Sequence, residues 1–343
     1  MLGMPAQHVL YNLIQMKKTL ALKVDVDTLR GTLIGVPQLV ALFRKHQVGA
    51  TFLFSLGPDH TGRAIKRVFR KGFFSKVKRT SVISHYGFPT LLYGTALPGP
   101  DIGKRCPDIM RRTKDEGFEV GIHCWDHVRW QDGVQGSSAD WTRREMERAQ
   151  NRFCDIFKTP SKTHGAAGWQ MNTHALRLTQ SMRFEYASDG RALAGEGVPH
   201  YPVVNAEIID CPQLPTTLPT FDELIGLDGV TELNVHESLL SLTGAEAAVS
   251  PSAVVGWDAA PHVFTMHAEL EGMRLLPTLE ALITGWKAQG YELVATETIA
   301  ARLARDSLPY FVAEQGVVPG RSGTLLMQGK PFLPEPVILA SAA

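Results

Sequence analysis

Short apolar runs alternate with helical stretches along most of the chain, and that alternation limits the folds open to it. Strands are expected near 20–26, 50–55, 118–123, 162–165, 184–188, 205–210, 262–267 and 291–295. Helices are expected near 36–47, 101–116, 138–157, 173–181, 231–243, 273–289 and 297–305. Strands separated by helices pair in parallel, in a sheet that is open or closed into a barrel. No glycine-rich dinucleotide fingerprint follows the first strand. The expected fold is therefore α/β, a (β/α) barrel of about seven parallel strands, with its chemistry at the carboxyl ends of the strands.

The 343 residues suffice for one large domain of this kind. A net charge of +1 gives no global attraction to nucleic acid. The four cysteines (Cys106, Cys124, Cys154, Cys211) lie far apart, so neither a zinc ribbon nor a disulfide framework is suggested. No apolar run is long and clean enough to span a bilayer, and no Lys or Arg precedes Lys17, so neither a transmembrane helix nor a signal peptide is expected. Residues 1–15 read as a dispensable extension, 16–318 as the catalytic domain and 319–343, rich in Pro and Gly at its start, as a loosely packed tail.

The first strand ends in Val24-Asp25-Val26-Asp27-Thr28. Side chains alternate along a strand, so Asp25 and Asp27 share a face. Two carboxylates at the end of a buried strand are costly unless something positive lies near them. A divalent metal meets that need, with one acid as ligand and one as base.

His123 stands at the tip of the third strand and His127 follows four residues later. This H-x-x-x-H spacing is expected to bring two imidazoles to one metal through a helical turn. Asp27, His123 and His127 make a two-His, one-carboxylate set that suits zinc, with cobalt and manganese also compatible. A two-carboxylate glycosidase would leave these histidines unexplained. His267 ends a late strand, beside Glu269 in sequence, and suits the proton donor to a leaving amine. Gly165-Ala166-Ala167-Gly168 forms a small-residue loop whose N–H groups could meet an oxyanion. Asp189 suits an orienter of a catalytic side chain.

Residues 57–100 form an insertion too long for an ordinary connection. Between Arg63 and Arg79 it carries Arg63, Lys66, Arg67, Arg70, Lys71, Lys76, Lys78 and Arg79 and no acid. Thr80 to Pro100 has no charged residue at all. A basic amphipathic segment followed by an apolar one suits an anionic membrane surface, through residues 63–100, or a phosphate group.

With D-x-D, H-x-x-x-H, the small-residue loop, Asp189 and His267 in this order, the chain resembles the polysaccharide deacetylase superfamily. The resemblance implies a distorted (β/α) barrel and metal-dependent hydrolysis of N-acyl sugars. It implies Asp25 as general base, Asp27, His123 and His127 as metal ligands, His267 as general acid and Asp189 as the acid that steadies His267. Phe54–Asp59, Ala166–Trp169, Leu218–Glu223 and His267–Glu269 narrow the resemblance to its deformylase branch. That branch implies a 4-deoxy-4-formamido-L-arabinose carried on undecaprenyl phosphate as substrate, formate as product, and a place on the cytoplasmic side of the bacterial inner membrane. The alternatives are deacetylation of another N-acyl sugar, or a catalytically silent lipid-sugar binding protein. One departure stands out. The superfamily usually has Arg and Pro where this chain has Gly165–Gly168, which removes a usual partner of the base.

Overall fold

The computed structural model describes residues 18–64, 88–192, 197–245 and 260–333. Its centre is strand β1 (Lys18–Val26). Leu20, Leu22, Val24 and Val26 pack into the main apolar core. Ala21, one step out of phase, packs with Tyr186, Leu214 and Val263 on the other face. This is the period-2 alternation of a strand buried on both sides.

All neighbours of β1 run parallel to it. Strand β8 (His262–His267) pairs from Leu20↔His262 to Asp25↔His267. The opposite edge is shared. Strand β9 (Tyr291–Val294) takes its first half, from Lys18↔Tyr291, and β2 (Thr51–Ser55) its second half, from Lys23↔Thr51. Beyond β2 come β3 (Glu119–Cys124), β4 (Thr163–His164) and β5 (Tyr186–Ala187), completing a seven-stranded sheet.

The gap between β5 and β8 is filled by an irregular segment. Ala187 N donates to Pro212 O and Leu214 N to Ala187 O, each at 2.8 Å. Thr217 N then donates to Val263 O, at 3.0 Å. Residues 212–217 thus satisfy exposed backbone groups of both edge strands, which an open sheet would leave to solvent. The helices cover the outside, among them α1 (Val36–His46), α2 (Pro107–Asp115), α3 (His127–Gly133) and α4 (Ala139–Phe157).

One expectation differs from the structure. The run at 205–210 is not a barrel strand. Asn205 and Ala206 both adopt positive φ, 51° and 62°, the conformation of a two-residue hairpin turn. The chain therefore folds back as β6 (Tyr201–Val204) and β7 (Glu207–Ile208). These join β10 (Tyr310–Gly316) and β11 (Leu325–Pro331) in a second, four-stranded sheet.

The same sheet takes up residues 325–331 of the expected tail, while residues 334–343 lie outside the described residues. Leu325, Leu326 and Met327 are buried, and Trp169 packs with Val318, Leu325 and Met327. Gly320, at φ +77°, lies where an added Cβ would stand 2.1 Å from Glu223 O. The glycine there serves a tight hairpin pressed on the barrel rather than a slack chain.

Residues 1–15, and Lys66 to Arg79 of the basic segment, lie outside the described residues. Of the insertion's charged face only Arg63 is described, and its Nε donates to Gly94 O at 3.0 Å. Among the described residues no helix is long and apolar enough to cross a membrane.

Candidate active site

Asp25 is the last inward-facing residue of β1, and Asp27 follows just past the strand end. The loop carrying Asp27 is held by Glu269. Its Oε1 accepts from Asp27 N (3.1 Å), Thr28 N (2.8 Å) and Thr28 Oγ1 (2.7 Å). An added Cβ on Gly31 would sit 1.9 Å from that same Oε1, so glycine is needed for the acid to reach in. Burial, with Asp27 close by, pushes Glu269 up to about 8.

His123 Nε2 lies 3.2 Å from Asp27 Oδ1 and His127 Nε2 lies 3.3 Å from Asp27 Oδ2. The two imidazoles stack with centroids 5.3 Å apart. They do not meet through a helical turn. His123 lies near the end of β3 and His127 is the first residue of α3, whose N-cap Asp126 accepts from Arg129 N at 3.1 Å. A strand-to-helix corner delivers the second ring. On the far side of His123, Nδ1 donates to Gly165 O at 2.6 Å, which fixes the tautomer and leaves Nε2 as a lone-pair donor.

These residues fit a divalent cation. Asp27 Oδ1 is buried with no hydrogen-bond partner, and Asp25 Oδ1 is in the same state. Burial works against charge on Asp27, but His127 and His123 outweigh it and hold the carboxyl below its usual range. An anionic acceptor facing two imidazole Nε2 atoms is the donor set of a first-row divalent metal.

Asp25 also has a neighbour of opposite charge. Lys23 lies two residues back on the same face of β1 and is fully buried. Its Nζ is 3.9 Å from Asp25 Oδ1, donates to Ser188 O at 3.0 Å, and lies 5.5 Å from the centre of the Trp169 ring. Period-2 alternation alone places it beside Asp25, a signal that the D-x-D pattern by itself does not carry.

His267 is the register partner of Asp25 across β1 and β8. Burial lowers its affinity for a proton, but Asp222, Asp27, Glu271 and Asp25 outweigh this and raise it to about 9. These acids favour a proton on the ring, which is what a general acid needs. Its backbone N–H donates to Glu271 Oε2 at 2.7 Å, and Trp169 meets the ring edge-on at 6.5 Å.

Asp189 is placed differently from its expected role. Its Oδ1 accepts from His164 Nδ1 at 2.6 Å and its Oδ2 from Gln213 Nε2 at 3.0 Å. Tyr186 points inward to Glu119, so Asp189, an odd number of residues on, emerges on the side of His164. The acid acting most strongly on His267 is Asp222, which lies in the stretch Leu218–Glu223. The small-residue loop also differs. Gly165 N is taken by Ile122 O at 2.9 Å, so that N–H does not meet an oxyanion; the Gly165 carbonyl orients His123 instead.

A parallel half-barrel with a buried Asp-His-His cluster, a lysine-flanked Asp and a strand-end His ringed by acids at its carboxyl end defines a deacylase of the polysaccharide deacetylase type. A family model described as polysaccharide deacetylase matches residues 15–187, and the chain belongs to that family. It is 34% identical over 273 residues, 80% of this chain and 83% of the relative, to a Shewanella sediminis (strain HAW-EB3) protein named "Probable 4-deoxy-4-formamido-L-arabinose-phosphoundecaprenol deformylase ArnD". A Wigglesworthia glossinidia brevipalpis protein of the same name is 30% identical over 302 residues, 88% of this chain and 99% of the relative.

Among solved structures, a Mycobacterium smegmatis protein assigned to the polysaccharide deacetylases superposes with a TM-score of 0.57 at 16% identity, covering 88% of this chain and 96% of its own. A probable polysaccharide deacetylase from Pseudomonas aeruginosa PAO1 gives 0.53 at 14%, covering 84% and 92%. These two share the fold.

Proposed function

We propose that this chain hydrolyses the formamide of 4-deoxy-4-formamido-L-arabinose carried on undecaprenyl phosphate, releasing formate and leaving the amino sugar used in lipid A modification and resistance to cationic peptides. The family makes it an amide hydrolase, a deformylase or deacetylase. The substrate reading rests on the two relatives just described. The observation that carries the reaction class is Asp27, whose buried Oδ1 has no hydrogen-bond partner and whose two oxygens face the Nε2 atoms of His123 and His127, with Asp25 and His267 paired across adjacent strands.

Asp27, His123 and His127 would hold the metal, and zinc fits their donor atoms, with cobalt and manganese also compatible. When bound, a divalent cation there polarises the formyl carbonyl and acidifies water. Asp25 takes a proton from the attacking water. His267 gives its proton to the amide nitrogen as the C–N bond breaks, so the amine leaves neutral and formate carries the former carbonyl. Glu269 and the Gly165 carbonyl keep the ligands in place throughout. The basic and apolar residues of 63–100 are read as the surface that meets the inner membrane from its cytoplasmic side, a reading that rests on sequence alone.

The test is formate release from the lipid-linked formamido sugar in anionic vesicles, before and after chelation, with metal content measured in parallel. Release that stops with chelator, returns with metal, and weakens with added salt more than on a short-chain soluble analogue is the expected result. Bound metal without formate would remove this substrate. No metal and no formate would leave a silent binding protein.

A further inference from the structure

We propose that Arg321 is a specificity-determining residue that recognises the phosphate carried by the substrate sugar. This rests on the reading above, and it concerns a residue outside the 15–187 stretch that matches the family.

The hairpin between β10 and β11 brings Arg321 onto the wall of the site. Its guanidinium carbon lies 4.5 Å from the centre of the Trp169 ring, and Trp169 in turn meets His267 edge-on. Gly320, wedged against Glu223 O, sets the approach of the hairpin.

Among the described residues the acid paired with Arg321 is Glu223, and that carboxylate is already used. Its Oε1 accepts from Arg191 Nη1 at 2.6 Å, and its Oε2 from Arg191 Nη2 at 3.0 Å and from Thr220 N at 3.1 Å. Arg321 Nη1 stands 3.6 Å from Oε1, longer than a hydrogen bond. The Arg321 guanidinium therefore makes no hydrogen bond among the described residues, although it offers five N–H donors in a planar fork. Arg191 lies 4.8 Å from the centre of the same ring, but it is buried; its Nη groups go to Glu223 and Leu218 O, and only its Nε is left without a partner.

Stacking on Trp169 holds the Arg321 fork in plane at little entropic cost, and its side chain is 14% exposed, so a ligand can reach it. Such a fork matches a phosphate better than a neutral sugar hydroxyl, because charge-assisted, bidentate N–H···O contacts are about twice as strong as neutral ones. The ligand class is an anionic phosphoester on the sugar whose amide lies before Asp25 and His267.

The experiment compares wild type, Arg321→Met and Arg321→Lys on two soluble substrates: a short-alkyl phosphodiester of the formamido sugar and the matching alkyl glycoside without phosphate. Wild type should favour the phosphodiester. Arg321→Met should lose about tenfold or more of that preference in kcat/KM, mainly through KM, and Arg321→Lys should recover part of it. Metal content and Tm of each variant report on folding. Equal losses on both substrates with folding intact, or a wild type without preference for the phosphodiester, would overturn the assignment. A wild type that releases formate from neither substrate would instead sink the proposed function itself.

Discussion

The barrel carries buried acids at both ends, and the two ends treat them in opposite ways. Glu119 begins β3 at the amino end. Its carboxylate accepts from Thr51 Oγ1, Thr296 Oγ1, Glu297 N and the Tyr186 hydroxyl, so both oxygens are used. At the carboxyl end of the same sheet, Asp25 on β1 and Asp27 just past it are also buried, yet each keeps an oxygen with no hydrogen-bond partner. A satisfied buried acid organises packing; an unsatisfied one, facing imidazoles and an ammonium, is kept for a proton or a cation. Glu145 Oε2, Glu269 Oε2 and Glu271 Oε1 are also buried without a hydrogen-bond partner, so it is the unsatisfied oxygen together with the imidazoles and ammonium facing it that sets Asp25 and Asp27 apart from Glu119.

The largest effect should come from breaking the carboxyl end without disturbing its ligands. Asp25→Asn keeps the shape of the side chain and removes its ability to take a proton. Turnover should fall roughly a thousandfold, while metal content stays at the wild-type level because Asp27, His123 and His127 are intact. Assay of formate release alongside metal analysis decides it. Turnover near wild type would remove Asp25 as base, and loss of metal would place it among the ligands.

A smaller effect separates the two acids offered as partners of His267. Asp222 pulls most strongly on that ring, whereas Asp189 is bonded to His164 and Gln213. Asp222→Asn should lower the affinity of His267 for its proton. A general acid acts only while protonated, so the fall in kcat/KM on the basic side should begin at lower pH, by about one unit. A metal at Asp27 opposes that residue's pull on His267, so the direction of the shift is the criterion. Asp189→Asn should leave this limb where it is. A basic limb that moves with Asp189 and not with Asp222 would restore the role the family resemblance implies.

Strand–helix alternation in the amino-acid sequence places β1, β2, β3, β8 and β9 to within a residue or two, because each is a buried apolar run with clear punctuation. That Asp27, His123 and His127 come together, with Asp25 and His267 in register beside them, is legible there too, because residue types suited to ligand and acid–base chemistry stand at strand ends. What the sequence hides depends on backbone conformation or on partners distant along the chain. The hairpin at Asn205-Ala206 puts alanine at positive φ, where composition gives no warning. Gly320 looks like slack because its need for close approach to Glu223 is a tertiary fact. The pairing of Asp189 with His164 joins two strand ends whose facing side chains no local pattern reveals. Lys23 is the opposite case, since its place beside Asp25 follows from strand alternation alone.

The smallest effect belongs to the amino end and concerns stability. Burial pushes Glu119 up to about 7 from an ordinary value of 4.5, despite its hydrogen bonds from Thr51 and Tyr186. Between those two values the folded chain holds this proton and the unfolded chain does not. Stability must then decline as pH rises from 4.5 to 7 and level off above that. In Glu119→Gln the group cannot ionise. The amide oxygen keeps the Thr51, Thr296 and Glu297 donors, and the Tyr186 hydroxyl turns to accept from the new NH₂. The variant should match wild type at about pH 4.5 and exceed it at about pH 8 by on the order of 1 kcal/mol, a few degrees in Tm, with formate release unchanged. Thermal unfolding at the two pH values reads this directly. A variant less stable than wild type at the higher pH would mean that the charged carboxylate, not merely its shape, holds the amino end together, and the contrast between the two ends would lose its basis.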